Sequence, residues 1–226
     1  MSTGLKQKHK DAAPSAGEGM SRKPQQGRSR ASLERMLAAA RELMLERGSE
    51  EFTLLEVSQR GNVSIGSIYL RFESKDNLVR AVIADSDEEL GAAEDAMFAK
   101  LRSECTSLAT FVPHYVEAYA EVLRQFAPLL RLSMDRASFD PQVSGPGKLR
   151  ANTAAASATT AFIAFADEIA GPDSQMKADA AFRIIFATLA RQLSLGSTFE
   201  SMDVLDWDLL KRELGRMTLA YLTADI

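Results

Sequence analysis

The stretch that decides the fold is "FTLLEVSQRGNVSIGSIYLRFESKDNL", Phe52 to Leu78 of a 226-residue chain. Thr53, Ser64 and Ser74 each stand just before a short helical pattern, where a side-chain oxygen can accept an N–H that the first turn leaves unsatisfied. The helix opened by Thr53 turns Leu54, Val57 and Ser58 inward and stops near Gly61 and Asn62. One residue of the turn that follows must take a left-handed conformation, which costs most side chains about 1 kcal/mol or more, and Asn62 is expected to take it. Ser64 opens a helix from Ile65 to about Phe72, with Ile68 and Phe72 inward at i, i+4. Ser74 opens another, Lys75 to about Ala84, carrying Leu78, Val79, Val82 and Ile83. Two short helices joined by a short turn, with a longer helix to brace them, make a helix-turn-helix.

The brace lies upstream. From Ser32, Leu33, Met36, Leu37, Ala40, Leu43 and Met44 recur at helical spacing, with Glu34, Arg35, Arg41, Glu42 and Arg47 opposite, and Gly48 ends the run as a C′ residue. Residues 1–30 hold almost no large apolar side chain and 7 Lys/Arg against Asp11 and Glu18. They are expected to form a flexible basic tail, because they bury too little surface to offset the entropy of ordering. Such a tail is either a solubilising leader or a reach toward a phosphate backbone. Lys6, Lys8 and Lys10 are followed by no apolar run, so a signal peptide is not expected.

Downstream the pattern stays helical, and few stretches alternate with period 2; the fold class is all-α. One helix is expected from Leu108 to Phe126, with Pro128 starting a new segment as an N1 residue. "DPQVSGPG", Asp140 to Gly147, reads as a loop. Further helices are expected from about Lys148 to Ala170, ended by Gly171-Pro172, from Ser174 to Leu195, ended by Gly196, and from Asp206 to Thr223. The most apolar window, Ala151 to Ala166, is too short to span a bilayer and is bounded by Arg150 and Asp167, so no membrane segment is expected. Three parts follow: a tail over 1–30, a helix-turn-helix domain over 31–84 and a larger helical domain over 85–226.

Charge is unevenly shared. The chain carries a net −4, but residues 1–80 have 14 Lys/Arg against 10 Asp/Glu, net +4, while residues 81–226 have 13 against 21, net −8. Local charge decides contact with a polyanion, so the acidic total does not exclude one. With one cysteine, Cys105, and two histidines, His9 and His114, no internal disulfide and no metal site is expected, and a cytoplasmic setting fits.

The quoted stretch resembles the N-terminal DNA-binding domain of the TetR/AcrR family of bacterial transcriptional regulators. It meets the pattern F-T-x-x-x-[IV]-[AS]-x-x-x-[GN]-V-S-x-x-[ST]-[IL]-Y-x-[HYR]-F-x-[SN]-K-x-x-L at nearly every position, and the resemblance runs from Ser32 to Ile83 with the bracing helix. Asn62 stands where Gly is usual, Arg71 where His or Tyr is common, and Leu55 at an often polar position. The resemblance implies that Thr53, Tyr69, Arg71 and Lys75 hold phosphates of an operator, usually palindromic. It also implies that Ile65, Gly66 and Ser67, with the capping Ser64 beside them, meet base edges. Chemistry supports part of this: Ser67 can donate or accept and Ile65 can touch a thymine methyl. No Arg, Asn or Gln on that helix offers a bidentate base contact, so groove shape is expected to carry part of the specificity.

The larger half has no Gly-rich phosphate loop, no His paired with a nucleophile and no metal spacing, so neither an enzyme nor a cofactor is expected. By the resemblance it binds a small effector and dimerises through its last two long helices, as a repressor released by that effector. Phe111, Tyr115, Tyr119, Phe126, Phe162 and Phe165 are candidates to line the effector site, with ordinary core packing as the alternative. An apolar lining suits a largely apolar ligand with one or two polar groups, anchored by Tyr115 or Tyr119. Ile184, Ile185, Thr188, Leu189, Leu210, Leu214, Met217 and Tyr221 are candidates for the dimer face. A second function stays open: a DNA-binding structural or adaptor protein whose helical half binds another protein.

Overall fold

A computed structural model describes residues 22–193, 195 and 206–225. Their helices are α1 (Arg22–Arg47), α2 (Leu54–Arg60), α3 (Ile65–Arg71), α4 (Lys75–Glu104), α5 (Leu108–Ala137), α6 (Pro141–Ile163), α7 (Ser174–Gln192) and α8 (Trp207–Thr223), with a 3-10 turn over Ala166–Glu168. The fold is all-α.

The three hydroxyl caps form as the sequence reading expects. Thr53, Ser64 and Ser74 accept from the N–H of Glu56, Ser67 and Asn77. Asn62 adopts φ 46° and Gly48 φ 59°, the two left-handed positions that end α2 and α1. Gly61 is needed for space instead: a Cβ there would lie 3.0 Å from the Arg35 carbonyl oxygen and 3.1 Å from that of Val57. Ser58 locks the turn by donating to the Val63 carbonyl at 2.6 Å.

Several expected boundaries move. Helix α1 begins at Arg22, so the part of the expected tail that is described, from residue 22 on, is helical, while residues 1–21 lie outside the described residues. Pro24 falls in its first turn, where no N–H is missed. Helix α4 runs past Ala84 to Glu104, since Leu90, Met97, Phe98 and Leu101 continue its buried stripe. Helix α5 continues through Pro128. Pro113 and Pro128 sit on its exposed side, where water can take the freed carbonyls, and the buried stripe from Leu108 through Tyr119 and Phe126 to Leu129 outweighs two lost helical bonds. The expected loop Asp140–Gly147 is instead the cap and first turns of α6: Asp140 accepts from the Gln142 N–H at 3.0 Å, Pro141 takes N1, and buried Val143 anchors the turn.

Helix α6 ends at Ile163, not Ala170. Its continuation is tied down differently, as Ala170 donates to the Leu222 carbonyl (2.9 Å) and Glu168 accepts the Leu108 N–H (3.0 Å). Gly171, at φ 91°, then turns the chain into α7. The expected stop at Gly196 lies outside the described residues.

Two cores result. Met36, Met44, Val57, Ile68 and Leu78 are fully buried in the helix-turn-helix unit. Phe111, Tyr115, Phe162, Ile185, Leu189 and Leu222 are at most 2% exposed in the larger bundle. Each such side chain stabilises by roughly 1.5–3 kcal/mol. The cores meet where Leu129 of α5 and Val143 of α6 pack into the first.

Polar groups lock that junction. Arg136, near the end of α5, donates to Asp140 (2.8 Å), to Glu50 before α2 (2.6 Å) and to Asp76 in the first turn of α4 (3.0 Å). Arg80 of α4 donates to the same Asp140 oxygen at 2.8 Å. Arg80 and Arg136 hold the Asp140 carboxyl down at about 2 against the pull of burial. Burial opposes the charge on Arg136, yet its three carboxylate partners raise its pKa.

Candidate nucleic-acid interface and helical-domain cavity

Helix α3 turns Ser64, Ile65, Gly66 and Tyr69 to solvent, with Ser67 half-buried beside them. Ser64 Oγ accepts the Ser67 N–H (3.1 Å) and lies 2.7 Å from Ser67 Oγ, so the cap also orients the hydroxyl expected to read bases. A Cβ on Gly66 would meet nothing within 4 Å, leaving the backbone open to close approach. Tyr69 is 58% exposed, and its hydroxyl has no partner among the described residues.

The other three expected phosphate ligands have structural duties. Thr53 Oγ1 donates to Glu56 (2.9 Å) and accepts from its N–H (3.2 Å), within a capping box that Glu56 closes on the Thr53 N–H (2.7 Å). Arg47, with the Thr53 backbone N–H and hydroxyl, draws the Glu56 carboxyl down to about 2. Thr53 must therefore exchange a partner to grip a phosphate. Arg71 donates to the Ser29 carbonyl at 2.7 Å, fastening the end of α3 to the start of α1. Lys75 donates to the Glu50 carbonyl at 2.8 Å and stands 5.3 Å over the Phe52 ring. Both cations keep free N–H groups.

Sequence reading did not single out Leu70, which is 88% exposed on α3. A large apolar side chain left in water beside Tyr69 can touch a sugar or a thymine methyl. Its signal was available, since Leu70 falls off the Ile68–Phe72 stripe.

The six aromatics expected around an effector mostly pack on each other. Phe111, Tyr115, Phe126 and Phe162 are at most 5% exposed, and half-buried Phe165 packs against the same core. Phe111 meets Phe162 edge-on at 5.3 Å and Tyr115 stacks on Tyr119 at 5.4 Å. Of the six, Tyr119 alone lines a cavity of about 500 Å³ walled by Leu90, Leu123, Leu130, Met134, Val143, Ala151, Ala154 and Phe186. Displacement has a physical cause: α6 starts at Pro141, so its first four turns supply a wall that the sequence reading assigns to the aromatic layer. The Tyr115 hydroxyl is buried with no partner among the described residues, and burial lifts its pKa.

The polar part of the wall was not foreseen. Asp87 and Glu94 of α4 and Arg150 of α6 line the cavity, and Arg150 Nη2 bonds Glu94, whose residue is 5% exposed. Burial raises both carboxyls, with Arg150 opposing in each case. Asp87 and Glu94 interrupt the apolar stripe of Leu90, Met97 and Leu101. Charges on a buried face were the signal for them, as for Arg136. His114 is exposed, with Nδ1 2.7 Å from the Thr110 carbonyl, and Cys105 is buried, its thiol pushed up by burial.

On α7 and α8 the expected dimer residues divide. Ile185, Leu189 and Leu214 are at most 6% exposed inside the protomer, so they are spent on its own core and cannot meet a partner. Ile184 is 54% and Met217 69% exposed, and Thr188, Leu210 and Tyr221 are half-buried.

Residues 36–82 match the family model of bacterial regulatory proteins, tetR family. No curated protein matches the chain. Among solved structures, a protein of Mesorhizobium loti MAFF303099 placed in the TetR family aligns at 19% identity and a TM-score of 0.65, covering 86% of this chain and 95% of its own. A transcriptional regulator from Cytophaga hutchinsonii aligns at 18% and 0.63, covering 86% and 100%. GusR of Salmonella enterica aligns at 22% and 0.59, covering 85% and 96%. These likenesses establish the shared fold over nearly the whole of each relative. Residues 36–82 therefore carry the match to the tetR family's N-terminal domain, and the chain as a whole shares the fold of these solved structures.

Proposed function

We propose that the protein is a homodimeric transcriptional repressor that is released from its operator when a small molecule fills the cavity between α4, α5 and α6. Residues 31–84 serve as the DNA-binding domain and residues 85–226 as the effector and dimer domain, acting in the cytoplasm. The observation that carries this reading is the continuity between cavity wall and DNA-binding unit. Ala137, Ser138 and Val143 line the cavity, while Arg136, just before them in sequence, and Asp140, between Ser138 and Val143, bond Glu50, Asp76 and Arg80 around the helix-turn-helix.

Two recognition helices enter successive major grooves only when they sit about 34–36 Å apart, so a small pivot of α4 spoils the fit. A ligand that spreads α4 from α6 drives the pivot to the extent that it prefers the released conformation. A nearly complete switch needs a preference of about 10⁴, roughly 5.5 kcal/mol. A concave, mostly apolar cavity of about 500 Å³ with a few charged groups on its wall has the size and lining that suit a small molecule, which favours this reading over an adaptor role. The exposed Ile184 and Met217 on α7 and α8 are the apolar surface on which two protomers meet. The test takes a compound that raises the melting temperature and titrates it into the protein–operator complex. An inducer binds free protein more tightly than DNA-bound protein; equal affinity for both refutes release by that compound, because linkage is reciprocal.

A further inference from the structure

The outer side of the Glu94–Arg150 pair opens into a second recess of about 460 Å³ between α4 and α6. Asp87, Glu94 and Arg150 line both spaces and form the partition between them. The recess adds Glu88 and Asp95, so four carboxylates and Arg150 line it. Asp87, Leu90, Gly91 and Glu94 follow one another at helical spacing, which puts both carboxylates on the cavity face of α4. Glu94 is paired with Arg150, whereas Asp87 has no hydrogen bond or ion pair among the described residues. Tyr119 is 3% exposed, lines the inner cavity, and its hydroxyl also has no partner among the described residues.

The geometry points to an effector with a large apolar body and one positively charged nitrogen, the nitrogen resting against Asp87 and the Tyr119 hydroxyl and the body against Leu123, Met134 and Phe186. This deepens the effector reading and rests on it for the link to DNA release. An anionic ligand would find Lys148 and the Arg150 Nε, unpartnered among the described residues, on the wall, but it would place its charge beside Asp87 and Glu94 and leave Asp87 without a counter-ion. A cation instead supplies the partner that Asp87 lacks, meets aromatic faces on Tyr119 and Phe186, and is favoured by the field of the neighbouring carboxylates Glu88, Glu94 and Asp95.

The test uses the full chain and three probes of one shape: 2-(biphenyl-4-yl)ethylamine, the corresponding alcohol, and 4-biphenylacetate, measured by calorimetry at neutral pH. The amine should bind at least tenfold more tightly than the alcohol, with the carboxylate weakest. Asp87→Asn, which keeps the shape of the side chain, should bring amine and alcohol to within about twofold. Ala151→Trp, which fills the cavity, should abolish amine binding while leaving the helical circular dichroism intact. The proposal is overturned by a carboxylate that binds as tightly as the amine, by an amine that does not bind at millimolar concentration, or by an amine preference that survives Asp87→Asn. Titrating the same probes into the operator complex separates the two claims. An amine that binds as described yet leaves DNA bound upholds the ligand class and refutes induction through this cavity; a carboxylate that strips the operator does the reverse.

Discussion

Arg136 and Asp140 lie four residues apart, each 5% exposed, and bond through Nε and Oδ2 at 2.8 Å across the step from α5 to α6. Through them the last turn of α5, the cap of the helix that walls the cavity, and the helix-turn-helix unit share one set of charges. A buried ion pair is seldom a net source of stability, but breaking it leaves an uncompensated charge. Replacing Arg136 by Met should therefore destabilise the fold by about 3 kcal/mol, read from urea unfolding. A loss under about 1 kcal/mol would mean that water screens the network and that it does not couple the two units.

Acid should dissolve the same junction. Asp140 has a folded pKa of about 2, below its ordinary range, so its stabilisation is complete above about pH 5 and is lost as the pH falls through 2. The stability difference between the wild type and Asp140→Asn should stay constant from pH 7 to pH 5 and shrink below pH 4. A difference that persists unchanged at pH 2.5 would sink this account.

On DNA, Tyr69→Phe should weaken operator and random duplex alike by about 1 kcal/mol without altering the salt slope, because a hydroxyl and no charge is lost. Lys75→Ala should lower the slope by about one unit. Ser67→Ala should change the ranking of sites by about 1 kcal/mol or more. Fluorescence anisotropy across a salt series reads all three, and a Tyr69→Phe effect confined to the operator would move Tyr69 from the phosphates to the bases.

The exposed apolar residues of α7 and α8 predict a clean split between assembly and folding. Ile184→Glu combined with Met217→Glu should give a folded monomer in sedimentation. Leu189→Glu should unfold the chain, since Leu189 is fully buried in the protomer. A folded dimer from the double variant would place the interface elsewhere.

Tyr115 carries a buried hydroxyl without a partner among the described residues, so Tyr115→Phe should stabilise the protein by about 1 kcal/mol in denaturant unfolding. A loss of comparable size would reveal a partner, such as an enclosed water, for that oxygen.

The helix-turn-helix was legible in the sequence because its determinants are local. Thr53, Ser64 and Ser74 cap the helices that follow within a few residues, and Asn62 takes the one conformation that its turn requires; neither depends on distant chain. The site on α3 was legible for the same reason, as a short helix exposes what its stripe does not bury. The lengths of α5 and α6 were decided only in the tertiary structure: Pro128 and the Pro141–Gly147 run are poor helix residues in isolation, and burial of Phe126, Leu129 and Val143 against distant elements overrides them. The cavity shifted with them. Aromatics at helical spacing announce a core, but whether Tyr115 faces a neighbour or a void depends on where α6 starts, and that is set by Asp140 capping it while bonded to Arg80 and Arg136. The same holds for Ile185, Leu189 and Leu214, apolar residues whose sequence cannot tell an inner core from a partner's surface, because both ask only for removal from water.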